Sequence, residues 1–195
     1  MTMRKSVLLL SASLLLAAPI TALAQAATPA AAAPRAPVVA ITQHAGTFNG
    51  QKVKYDAIVA ETFLKDAAGA PAASVVTTAY VRTDNKDKAA RPVLFLFNGG
   101  PGASTTPLHF GAFGPKKREG EGAAQRMVDN PDSPLDAVDL VFIDPVGTGY
   151  SRPLAGHDGQ AFWSRTGDAL AVKTIIADWL KANGRQASPR YMLGQ

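Results

Sequence analysis

No cysteine occurs in the 195-residue chain. Disulfide scaffolds, thiolate metal sites, a lipoprotein anchor and a thiol nucleophile are therefore excluded. Charge is sparse too: charged residues make up 18% of the chain and hydrophobic ones 47%. That balance argues against wholesale disorder and supplies enough apolar mass for a packed core. Internal repeats are absent. So are the Walker spacing of a phosphate loop and the G-x-G-x-x-G pattern of dinucleotide binding. The length suits one domain. The net charge of +5 carries no nucleic-acid signature. Its densest run, Lys116-Lys117-Arg118, is followed at once by Glu119 and Glu121 and has no interleaved aromatics. It reads as a solvated loop, and no nucleic-acid partner is expected.

The first residues read as an address. Arg4 and Lys5 form a positive n-region, Val7 to Ala18 an apolar stretch short for a bilayer, and Ala22-Leu23-Ala24 a small-residue cleavage site. Residues 1–24 are expected to be a signal peptide, removed before Gln25. An uncleaved anchor is the alternative, against which stand Pro19 and the small residues after it. The expected location is periplasmic or secreted, with no stable membrane anchor after cleavage. Residues 25–40 begin with an Ala/Pro-rich stretch that has no core-forming side chains, a tether. The folded part is expected from Ile41 onward.

Lys54 to Phe63 and Val75 to Arg82 are rich in β-formers and flank the turn segment Lys65 to Pro71, which suggests an antiparallel hairpin. The pattern then changes. Val93-Leu94-Phe95-Leu96-Phe97 and Leu140-Val141-Phe142-Ile143 are unbroken apolar runs, as strands buried on both faces of a parallel sheet read. Val172, Ile175, Ile176, Trp179 and Leu180 lie on one face of a helix. Thr166 and Asp168 are its candidate N-caps and Asn183-Gly184 its stop. Arg190 to Leu193 reads as the next strand. The order is that of an α/β fold.

Three strand ends could carry chemistry. Asn98-Gly99-Gly100-Pro101-Gly102 follows the first apolar strand. Its glycines let backbone approach a ligand and leave N–H groups bare, as an oxyanion hole requires. A plain Gly/Pro turn is the alternative. Asp144 to Arg152 follows the second apolar strand and contains Ser151. That serine comes after the glycines, whereas a hydrolase elbow reads G-x-S-x-G. The later histidine, His157, sits in a Gly/Asp loop. Asp144, the glycines and Ser151 are therefore expected to shape a cleft rather than to react. At the last strand, Gly194-Gln195 would fill the first two elbow positions, with a serine expected next.

Together these residues resemble the serine carboxypeptidase family, its bacterial branch in particular. The resemblance rests on Phe97 to Gly102, Gly111 to Pro115, Asp129-Asn130-Pro131, Asp139 to Arg152 and Tyr191 to Gly194. It implies that residues 41–195 are the N-terminal part of an α/β-hydrolase fold with an N-terminal β-hairpin. It also implies a Ser-Asp-His triad lying wholly beyond Gln195. Gly100 would supply one oxyanion-hole N–H; Asn98, Gly99 and Gln195 would hold the carboxylate terminus of a peptide substrate. No metal or organic cofactor is implied. Where the family's eukaryotic members carry Trp and Cys, this chain has Leu96 and Ala103. Where they use two glutamates for the carboxylate, it has Ala112 and Gln195. An amide donates to a carboxylate at any pH, a carboxyl only when protonated. The residues alone leave other readings open: an esterase or acyltransferase on the same fold, or a secreted module that binds peptide termini. A fragment would leave faces or edges of Val93–Phe97 and Leu140–Ile143 exposed. The chain by itself is expected to be inactive.

Overall fold

The computed structural model describes residues 35–99 and 102–195. The leader, residues 25–34 of the tether, and Gly100 lie outside the described residues. The main sheet has the order β1-β2-β3-β7-β4-β9. Strands β1 (Val39–Phe48), β2 (Gln51–Lys65) and β3 (Pro71–Arg82) form an antiparallel meander, and β3 pairs antiparallel with β7 (Asp139–Ile143). From there the sheet is parallel: β7 pairs β4 (Val93–Phe97), which pairs β9 (Arg190–Gly194). The short β8 (Arg152–Pro153) pairs with β3. A separate ladder joins β5 (Lys116–Glu119) to β6 (Arg126–Asp129). Two α-helices are described, a single turn α1 (Thr106–Leu108) that runs into a π-turn over His109–Phe113, and the long α2 (Arg165–Ala182).

The apolar runs are buried on both faces, as their lack of alternation predicts. Side chains of a strand point alternately to its two faces. Phe95, Val141 and Ile143 therefore pack with Val172, Ile175, Ile176 and Leu180 of α2, while Leu96, Leu140 and Phe142 pack with Phe48, Val53, Tyr55 and Tyr80 on the other side. The exposure expected on β4 and β7 does not occur, because β3 and β9 take up their edges and α2 one face. Exposed apolar side chains sit instead on β9, at Tyr191 and Met192, and on β1, at Val39 and Ile41.

Four sequence expectations are corrected. The expected hairpin is β2–β3, but a further strand precedes it. β1 starts at Val39, inside the stretch read as tether, and joins β2 through Asn49-Gly50, both at positive φ (48° and 79°). This is the two-residue turn whose twist suits a hairpin. Helix α2 is capped not by Thr166 or Asp168 but by Ser164, whose hydroxyl accepts from the Gly167 N–H at 3.0 Å. A Cβ at Gly167 would stand 1.9 Å from the Ala161 carbonyl oxygen, so glycine allows this tight entry. Thr166 and Asp168 fall inside the first turn. Finally, Lys116-Lys117-Arg118 is not a loop but most of β5. Lys116 lies opposite Asp129 and Glu119 opposite Arg126, and both pairs form ion pairs. Opposite charges directly across a ladder support it.

Two charged clusters tie the sheet together. Asp139, at the start of β7, is fully buried. Its Oδ1 accepts from Arg91 Nε at 2.7 Å and from the Arg82 backbone N–H at 3.0 Å; its Oδ2 accepts from Arg185 Nη1 at 2.5 Å. Each remaining guanidinium nitrogen also finds an acceptor. Arg91 donates to the Leu135 and Val138 carbonyls, and Arg185 to the Arg91 carbonyl and Ser188 Oγ. In the second cluster Glu61, in mid-β2, accepts from Arg35, from Ser74 Oγ and from the Val38 N–H. The Arg35 guanidinium also lies 5.2 Å from the Phe63 ring centroid. Hydrogen bonding from Arg35 holds the Glu61 carboxyl at about 2, well below its ordinary 4.5.

Removing one member of a buried ion network leaves the rest uncompensated and costs about 3–5 kcal/mol. Asp139→Ala, which strands two buried arginines, is expected to lower unfolding stability by that order in urea titrations. Glu61 gives a pH signature. Its folded-state value lies below its unfolded one, so its contribution is present above pH 4.5 and is lost as pH falls towards 2. The stability gap between the native chain and Glu61→Gln should stay constant above that value and close below it. A gap that widens on acidification would contradict the assignment.

Candidate functional site

The three parallel strands end on the same side, at Phe97, Ile143 and Gly194, and ligands of open α/β sheets bind outside such carboxyl ends. Asn98 follows β4 directly. It is buried, and its Oδ1 has no hydrogen-bond partner among the described residues. Buried polar atoms are rarely left unpaired. The Gly99 N–H donates to the Gln195 carbonyl, and the Gln195 N–H returns to the Phe97 carbonyl at 3.3 Å. A Cβ at Gly99 would lie 2.7 Å from the Gln195 oxygen, so only glycine permits this approach. Asn98, Gly99 and Gln195 are thus brought together, with the Gly99 N–H already engaged.

The far end of the same loop is anchored to the β7 loop. Asp144 Oδ1 accepts from the Thr105 N–H at 2.9 Å and from Thr105 Oγ1 at 2.7 Å. Asp144 is itself pinned. Ser151 Oγ donates to the Asp144 carbonyl at 2.7 Å and accepts from the Val76 N–H at 2.9 Å. Gly149, at φ 49°, has no room for a Cβ, which would sit 1.8 Å from Asp144 Oδ2. Ser151 is fully buried and both its hydrogen-bonding directions are used. It staples the loop to β3 and lies outside the lining of the cleft that it is expected to help shape.

Between these loops and the start of α2 lies a cleft of about 640 Å³. One wall is Asn98, Gly99, Gly102 and Ala103; another is Pro145 to Thr148; the third is Phe162 to Arg165 with Asp168. Burial pushes the Asp168 carboxyl upward. The third wall was not read from the sequence as part of a site. Its one local signal is the aromatic pair Phe162-Trp163 just before a helix start. His109 lies behind the loop, outside the cleft lining. It is stacked on Phe142 at 4.3 Å, its Nε2 is 2.6 Å from the Tyr80 hydroxyl, and burial lowers its value to about 4. It is therefore a neutral core residue at neutral pH.

The family model for serine carboxypeptidases matches residues 79–195, more than half of the chain. The chain belongs to the serine carboxypeptidase family. Among solved structures it is similar to Kex1(Δ)p, a prohormone-processing carboxypeptidase from Saccharomyces cerevisiae, with a TM-score of 0.50 at 18% identity over 71% of this chain. The chain spans 31% of the length of that protein. The likeness shows an α/β-hydrolase fold for this carboxypeptidase-family chain. A putative epoxide hydrolase from Pseudomonas aeruginosa is matched at a TM-score of 0.35, with 16% identity, over 70% of this chain and 32% of its own. No curated protein matches significantly.

Ser151→Ala would leave the half-buried Val76 N–H unpaired, which costs up to about 1–3 kcal/mol. A corresponding loss of thermal stability is expected. A fluorophosphonate that labels reactive serines should leave Ser151 unmodified in the native chain. Covalent labelling at Ser151 would restore it as a nucleophile.

Proposed function

We propose that this chain supplies the terminus-holding part of a serine-type carboxypeptidase. The observation that carries the proposal is Asn98, a buried amide whose oxygen has no partner among the described residues, lining the cleft beside Gly99 at the carboxyl end of β4. The two ends of an amide have the same shape, so a half-turn about Cβ–Cγ presents its NH₂ to an anion. Gly99 and the Gln195 amide would complete the grip on the last carboxylate of a peptide. Recognition of that carboxylate makes a peptidase an exopeptidase.

The reaction is acyl transfer to water by a Ser-Asp-His triad. The serine attacks the last peptide carbonyl, with histidine taking its proton, and Gly100 donates one N–H to the oxyanion. Losing one such donor typically slows the reaction by about 10²–10³-fold. The chain has no G-x-S-x-G, and on this reading residues 1–195 bind a terminus but do not cleave it. The protein works outside the cytoplasm, exported by residues 1–24, on peptide substrates.

Calorimetry with a blocked dipeptide, as free acid and as C-terminal amide, tests the reading. The acid should bind, the amide should bind markedly more weakly, Asn98→Ala should erase the difference, and no amino acid should be released. Equal binding of acid and amide would overturn the carboxypeptidase reading. Preference for an ester without a free carboxylate would favour an esterase.

A further inference from the structure

Trp163 combines two properties that rarely occur together. Its surface is 52% exposed, yet its ring is fixed. The indole Nε1–H donates to the Val146 carbonyl at 3.1 Å. Gly147 and Gly159, at φ 94° and 82°, leave the space that the ring occupies: a Cβ would stand 2.9 Å from Nε1 at the first and 2.6 Å from Cζ2 at the second. The turn that delivers the ring is closed by the Phe162 N–H on the Gly159 carbonyl, and Ser164 caps α2 immediately afterwards. A side chain held at its edge, by the turn before it and by the helix after it has lost its conformational freedom on folding without gaining full burial. An exposed surface ordered in advance costs little to bind against. An indole also offers a large apolar face.

We propose that Trp163 is the platform for the side chain of the substrate's last residue, and that the cleft selects a large apolar side chain there, aromatic ones above all. The proposal rests on the carboxylate reading given above, because Asn98 and Trp163 line one cleft. If Asn98 and Gly99 hold the terminal carboxylate, the side chain on the adjacent carbon must lie within the same space. Around Trp163 that space is bounded by Phe162, Val146 and Pro145. The charged residues in the lining are Arg165 and Asp168, of opposite sign, so the cleft offers no net charge to an acidic or basic side chain. Stacking on the indole then favours a planar group over an equally apolar branched one.

Blocked dipeptides with free carboxylates ending in Phe, Leu, Ala or Lys, and the amide of the Phe peptide, are titrated into the native chain by calorimetry. The Phe acid is expected to bind about tenfold more tightly than the Ala acid, the usual worth of filling an apolar pocket. Trp163→Ala should lose that factor and keep its preference for acid over amide. Trp163→Phe should recover part of it. The chain has two tryptophans, and Trp179 packs edge-on against Phe95 in the core. In Trp179→Phe, emission from Trp163 alone should therefore shift on binding of the Phe acid. If acids bind better than amides but with no dependence on the terminal side chain, the platform is overturned and the carboxylate reading stands. The platform also falls if Trp163→Ala leaves the Phe preference intact. If acid and amide bind alike, or nothing binds, the carboxylate reading fails and the platform with it.

Discussion

One buried carboxylate, Asp139, held between the guanidinium groups of Arg91 and Arg185, fixes how the parallel strands lie. Desolvating three charged groups is costly, and only good geometry with every remaining N–H satisfied offsets it. Here the satisfaction runs through backbone carbonyls at the entrances to the strands. Arg185 reaches the Arg91 carbonyl, the Asp139 N–H the Pro92 carbonyl, and the Val93 N–H the Pro189 carbonyl. A slip of β7 against β4 by one residue would remove Asp139 from both arginines. It would also turn each apolar side chain to the opposite face. Register is thus set at one end of the strands. Because β4, β7 and β9 each run five residues, fixing their starts brings their ends abreast.

The loops leaving those ends are linked to one another rather than left free. Asp144 joins the loop after β7 to Thr105, Ser151 joins it to β3, and Gly99 meets Gln195 across the end of β4 and β9. The first two links use buried polar groups, Thr105 and Ser151, where an unmade hydrogen bond is expensive. The opposite wall is held differently, by an indole seated against two glycines. Both solutions give a rigid wall, which a recognition site needs more than it needs burial. The oxygen of Asn98, without a partner among the described residues, stands out against this background.

How much of this the sequence discloses depends on the range of the interaction. The buried strands, the apolar face of α2 and the Gly-rich loop were legible, because each leaves a local pattern of composition or period. β1 was not read, since a strand exposed on both faces has no alternation to show. Its signal was the turn, Asn49-Gly50, which forms a hairpin by backbone conformation alone. The true cap Ser164 lost to Thr166 and Asp168 because all three are good caps, and only the tight approach at Gly167 decides between them. The charges of β5 read as a loop because their partners on β6 sit 13 residues away for Lys116 and 7 for Glu119. Arg91 and Arg185 gave no sign that they would be buried, for their carboxylate is some fifty residues distant in the chain. Trp163 was passed over for a related reason: what marks it is not its type but the two glycines that hold it.

The engaged N–H of Gly99 sets a condition on any terminus-binding role. A peptide carboxylate arriving there must displace the Gln195 carbonyl or share the donor with it. The exchange is favoured where Gln195 presents a neutral peptide carbonyl, since a hydrogen bond to an anion is roughly twice as strong as a neutral one. It also has a structural consequence. Releasing the Gln195 carbonyl loosens the contact between the ends of β4 and β9, the edge on which Tyr191 and Met192 are exposed. On the terminus-holding reading, occupation of the site would act on that edge through the Gly99 N–H, whose close approach to Gln195 leaves no room for a side chain at residue 99.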